Sequence, residues 1–107
     1  MKRGEIWWVN FDPSVGGEIR KRRPAVIVSN NVSNKYLNRV QVVPVTSNVK
    51  TPYPSEALIS FAGKSVKAMA DQIATISKLR LSRRAGAISA DDMVGIDEAI
   101  KTQLDLK

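Results

Sequence analysis

The stretch Glu18-Ile19-Arg20-Lys21-Arg22-Arg23-Pro24 runs directly into Ala25-Val26-Ile27-Val28-Ser29. Four consecutive cations thus stand at the mouth of a near-continuous apolar strand that must be buried. Pro24 fixes its own φ and pushes the residue before it into extended geometry, which singles out Arg23 as the positioned cation of the run. Arg20, Lys21 and Arg22 carry no such restraint.

The flanking chain reads as more short strands. Gly4 to Phe11 is rich in β-favouring residues, with Ile6 and Trp8 alternating against Trp7 and Val9. One tryptophan faces the core. For the other, two readings stand: a second buried layer or dimer contact, which suits Trp7, or a base-stacking platform. Asp12-Pro13 ends this strand, and Asn30-Asn31 opens a turn with a short helical turn up to Tyr36. Arg39 to Val45 is the next strand, with Pro44 pointing to an edge or a bulge. Glu56–Phe61 and Ser65–Ala70 form a hairpin around Ala62-Gly63-Lys64, and Gln72–Ile76 is a sixth strand. Ser77 to Leu81 reads as a brief turn or helix. Ala90 to Leu104 is a helix with Ser89 as N-cap, Asp92 as its capping-box partner, and a stripe of Met93, Ile96, Ile100 and Leu104. Its acids read as a solvated face.

Short strands with tight connections and one terminal amphipathic helix describe a mainly β domain, a small SH3-like barrel plugged by the helix. The connections are too short for parallel crossovers. At 107 residues the chain is read as one domain, residues 1–107. No apolar run approaches the ~18 residues of a membrane helix, so the expected setting is the cytoplasm, with no membrane partner.

Net charge is +7 and the sequence pI about 10.1, which makes a polyanion such as nucleic acid the leading partner class. Cysteine and histidine are both absent. Thiolate nucleophiles, Cys-based zinc sites and Ser-His triads therefore drop out. The acids Glu5, Asp12, Glu18, Glu56 and Asp71 are scattered singly, so no metal site and no cofactor is expected. RNA offers a reaction that needs neither, because its own 2'-hydroxyl can attack the adjacent phosphorus in line. The protein then orients the strand, neutralises the phosphorane oxygens and helps move two protons. Arginine suits the second task through its planar, permanently charged fork. A hydroxyl from Thr46 or Ser47 can add a hydrogen bond, and Glu18 is the base candidate near the basic turn. The other reading of Arg20 to Arg23 is a solvated phosphate-binding loop without chemistry.

Several stretches together resemble the MazF/PemK (Kid) family of toxin endoribonucleases. They are Arg3-Gly4-Glu5-Ile6-Trp7-Trp8-Val9-Asn10-Phe11-Asp12-Pro13, Gly17-Glu18, Arg23-Pro24-Ala25-Val26-Ile27-Val28-Ser29-Asn30, Val43-Pro44-Val45-Thr46-Ser47 and Ala70-Asp71-Gln72-Ile73, with Ile96 to Leu104 similar to the family's terminal helix. The resemblance implies the CcdB/Kid/MazF-like form of the SH3-like barrel, a homodimer, and metal-independent cleavage of single-stranded RNA to a 2',3'-cyclic phosphate and a 5'-hydroxyl. It also implies a cognate antitoxin with an acidic, partly disordered tail. By motif position it assigns catalysis to Arg23 and Thr46. Glu18 matches the acidic residue of the first loop, and Phe11, Ser47, Asp71 and Gln72 fall on or beside the RNA path. Arg20, Lys21 and Arg22 are expected to draw RNA in electrostatically. Many members carry a cation two residues after the glutamine, where this chain has Ala74; Lys78 or Arg80 is expected to replace it, with Lys78→Ala weakening RNA binding. A non-catalytic SH3-like binding module and a gyrase poison on the same scaffold are the competing readings.

Overall fold

In the computed structural model the described residues are 1–13, 15–18 and 21–107. Arg20, one of the expected RNA contacts, lies outside them.

The strands are β1 (Glu5–Asn10), β2 (Arg22–Ile27), β3 (Arg39–Thr46), β4 (Glu56–Phe61), β5 (Lys64–Met69), β6 (Ala74–Ser77) and β7 (Leu81–Ala87). Two helices join them, α1 (Asn31–Tyr36) and α2 (Ala90–Leu104). The strand pairs are antiparallel, in the order β4-β5-β3-β2-β1-β7 with β6 also on β3. This is the mainly β half-barrel with a C-terminal helix that the sequence led us to expect.

The unbroken apolar runs of β2 and β3 exist because both of their faces are covered. Ile6, Val26, Val43 and Val45 point into one core with Ile59, Ala68 and Ile96, whereas Val9, Ala25, Ile27, Val40 and Val42 point into a second with Ile76. Side chains alternate across a strand, so a strand buried on both faces has no polar alternate positions. Trp7 packs on the second core, which is the buried-layer reading for that residue.

The structure departs from expectation at particular places. Pro44 is in neither an edge strand nor a bulge: it is fully buried and pairs with Ala25. Its missing N–H is tolerated because β3 changes partners there, with Arg39–Val42 on β6 and Val45–Thr46 on β5. The β4–β5 loop is two residues, Ala62 and Gly63, both at positive φ (53° and 75°), and Lys64 already pairs with Phe61. Positive φ at both central residues matches the twist of the flanking strands. The sixth strand starts at Ala74 because Ala70–Gln72 forms a 3-10 turn. A seventh strand, β7, was not expected at all. Ser89 caps α2 by accepting the Asp92 N–H at 3.1 Å, but the Asp92 carboxylate does not return the bond. It accepts the backbone N–H of Ser60 at 2.9 Å instead, tying the helix to β4. Leu104 is half exposed, and Ala99 takes the buried place in the stripe.

Candidate active site

Arg23 enters the site from the head of β2 and Thr46 from the end of β3. The β2–β3 register pairs Ala25 with Pro44, and two residues further along it Arg23 falls opposite Thr46. Both are half-buried, and both line the same two clefts. The first, about 600 Å³, is walled by Gly16, Gly17, Glu18, Lys21 and Gln72. The second, about 360 Å³, is walled by Trp8, Pro24, Ser47, Phe61 and Val66. Arg23 and Thr46 thus form the ridge between a polar basin and a more apolar one.

A third basin, about 420 Å³, adjoins the first through Glu18 and Gln72, and is lined by Phe11, Asp71, Ala74 and Arg80. The three adjoin in series through these shared lining residues and together form a trough along the ridge. Phe11, Glu18, Lys21, Ser47, Asp71 and Gln72 all border it.

Local hydrogen bonds explain the trough's edge. The loop between β1 and β2 is closed at its base by Phe11 N–H donating to the Lys21 carbonyl at 2.9 Å and Lys21 N–H donating to Asp12 Oδ1 at 2.9 Å. Lys21 has φ 63°, a turn conformation that redirects the chain into β2. Glu18 Oε1 accepts the Val15 N–H at 2.7 Å, and Gln72 Nε2 reaches the Gly17 carbonyl at 3.3 Å. Thr46 Oγ1 accepts the Asn48 N–H at 3.2 Å, which leaves its own proton to be donated elsewhere.

Two expected contacts sit elsewhere. Lys78 Nζ donates to the Asn34 carbonyl and borders a separate cavity with Trp7 and Lys35. It cannot replace a cation at Ala74. Arg80 does border the Ala74 basin, where its Nη1 donates to the carbonyls of Asn10 at 3.0 Å and Asp12 at 2.6 Å. Arg22 turns toward Trp8, its guanidinium 5.7 Å from the ring centroid and its Nε donating to Ser82 Oγ at 3.1 Å. Arg83 of β7 lies over the same ring at 5.8 Å. Sequence reading missed Trp8's place beside the ridge and missed Arg83 altogether. The one signal was the cationic pair Arg83-Arg84 in a stretch without apolar alternation.

The chain matches the family model described as PemK-like, MazF-like toxin of type II toxin-antitoxin system over residues 2–104. It belongs to that toxin family. Among relatives of this MazF-like chain, endoribonuclease MazF9 of Mycobacterium tuberculosis is 44% identical, with 99% of this chain and 98% of that protein covered. The endoribonuclease toxin MazF of Escherichia coli is 32% identical over 84% of this chain and 81% of its own. Solved structures similar to it include MazF from Deinococcus radiodurans, with TM-score 0.88, 28% identity and coverage of 99% and 97%. Another is an endoribonuclease in complex with its cognate antitoxin from a mycobacterial species, with TM-score 0.84, 25% identity and coverage of 100% and 97%. No helix among the described residues of this MazF-like chain is long and apolar enough to cross a membrane.

Proposed function

We propose that this MazF-like toxin is an endoribonuclease that cuts single-stranded RNA at the Arg23–Thr46 ridge. The observation that carries the reading is the placement of a half-buried arginine and a threonine hydroxyl on one ridge between two basins. The scissile phosphate lies on the ridge, with the nucleotides on either side in the polar and apolar basins. The Arg23 guanidinium neutralises charge that builds on the non-bridging oxygens, and the Thr46 hydroxyl donates to one of them. The 2'-hydroxyl attacks in line, its oxygen bonding to phosphorus as the bond to the 5'-oxygen breaks, and the leaving 5'-oxygen takes up a proton from solvent. The products are a 2',3'-cyclic phosphate and a 5'-hydroxyl, with no metal required. Glu18, on the wall of the same basin, is the group we assign to the proton taken from the 2'-hydroxyl.

Lys21 and Arg80 supply field along the trough, and Arg22 together with Arg83 supplies it around Trp8. A cationic trough that accepts RNA also accepts an acidic peptide, so the cognate antitoxin competes with substrate through an acidic, partly disordered tail. The working form is a cytoplasmic homodimer.

Incubating a long RNA with the protein in EDTA and analysing its ends tests the reading. Discrete fragments bearing 5'-hydroxyl ends are expected. Intact RNA would return the chain to a non-catalytic binding module or to a toxin acting on gyrase.

A further inference from the structure

Thr46 is the first link of a hydrogen-bonded chain that ends in a buried ion pair. Its Oγ1 accepts the Asn48 N–H at 3.2 Å, and Asn48 Oδ1 accepts the Lys50 N–H at 3.1 Å. The Lys50 carbonyl then accepts from Lys67 Nζ at 3.2 Å, and Lys67 Nζ lies 3.3 Å from Glu56 Oε2. The pair is withdrawn from water, its side chains only 9% and 10% exposed. Glu56 also holds Tyr53 twice: Oε1 accepts the Tyr53 N–H at 2.9 Å, and the Glu56 N–H donates to the Tyr53 carbonyl at 2.9 Å. Lys67 is the cross-strand partner of Thr46 in the β3–β5 register.

An ion pair this buried returns little or no net stability, because desolvating the charges offsets their attraction. What it supplies is geometry. It clamps the loop between β3 and β4 at Lys50 and Tyr53, and through Lys50 and Asn48 it engages the acceptor side of the Thr46 hydroxyl. A hydroxyl whose oxygen is held by a fixed donor has a narrowed range of directions for its own proton.

We propose that Lys67 and Glu56 are positioning residues for cleavage: they hold the 47–55 loop so that the Thr46 hydroxyl donates toward the phosphate on the ridge. This rests on the nuclease reading above. Neither residue touches RNA.

The test compares the full chain with Asn48→Ala and with the double variant Lys67→Met/Glu56→Leu, which removes both charges while keeping apolar volume. Single-turnover cleavage of an RNA oligonucleotide cut by the wild type is measured beside backbone amide exchange. For the double variant the cleavage rate is expected to fall ~10- to 100-fold with KM within about threefold, since small misplacements of a reacting group cost that much. Amides of Lys50 and Tyr53 should exchange at least ~10-fold faster, while those of Val43 and Ile96 keep their protection. Asn48→Ala, a change at an exposed residue, should lower the rate ~10-fold without altering Tm, and it decides the matter if the double variant does not fold. A folded double variant that cleaves at the wild-type rate, or slowed cleavage with loop protection unchanged, would overturn the proposal. Should the wild type leave RNA intact, the nuclease reading fails, and with it the positioning role; the exchange data still report whether the pair clamps the loop.

Discussion

Arg23 and Thr46 are far apart in sequence yet line the same two clefts, where continuing the Ala25–Pro44 register by two residues brings the head of β2 against the end of β3. The buried strands behind them set this relation, because a one-residue slip would turn Val26 and Val43 out of one core and into the other. Their spacing is therefore protected by the hydrophobic register of the strands that carry them.

Arg23→Ala should abolish cleavage while the domain stays folded. Electrostatic stabilisers of this kind are worth ~10²–10³ in rate or more. Single-turnover assays beside a circular-dichroism melt check it, and a stable, fully active Arg23→Ala protein would remove the residue from the mechanism.

Thr46→Val keeps the β-branched shape of the strand end and removes only the hydroxyl. We expect a ~10- to 100-fold lower rate, with Thr46→Ser recovering most of it. Equal rates for the valine and serine variants would show that the hydroxyl is idle.

Arg80 and Lys78 separate cleanly. Arg80→Ala removes a cation from the trough together with two bonds to the Asn10 and Asp12 carbonyls, so RNA affinity should fall and the salt slope should flatten by about 1. Lys78→Ala should leave RNA affinity alone and cost about 1 kcal/mol of stability, because its bond goes to the Asn34 carbonyl. A salt-controlled titration in which Lys78→Ala binds RNA more weakly than Arg80→Ala would reverse this ordering.

Glu5 makes acid stability testable. Burial by itself would raise its carboxyl, but bonds from Trp7 Nε1, the Lys2 N–H and Arg84, together with the Met1 ammonium, outweigh burial and hold it below 4.5. A depressed carboxyl stabilises the fold fully above its unfolded value, and that contribution is lost as pH falls through the folded one. Glu5→Gln should therefore lower Tm near neutrality and lessen the Tm loss on acidification below about pH 4.5. Parallel Tm curves for the two proteins would contradict this.

Much of the architecture was legible because it is local. Period-two alternation, Gly63 in the hairpin turn and Ser89 before an apolar stripe each report on a few neighbouring residues, and the observed β4–β5 hairpin and α2 follow them. The extended backbone of Arg23 follows likewise from the proline beside it. The expectation for Pro44 failed because a proline rule assumes one uniform ladder, whereas β3 has different partners along its length.

By itself, then, the sequence determined the strand-rich class, the terminal helix and a set of candidate site residues that contains neither histidine nor cysteine. Tertiary structure alone decided which of them meet. Pairing with β1 made a strand of Leu81–Ala87, whose own side chains carry little β signal, and so brought Arg83 over Trp8. Folding sent Lys78 to α1 and Arg80 to the trough, and buried Lys67 against Glu56 behind Thr46. These are contacts between residues distant in the chain, and their partners are fixed only when the register of the whole sheet is set.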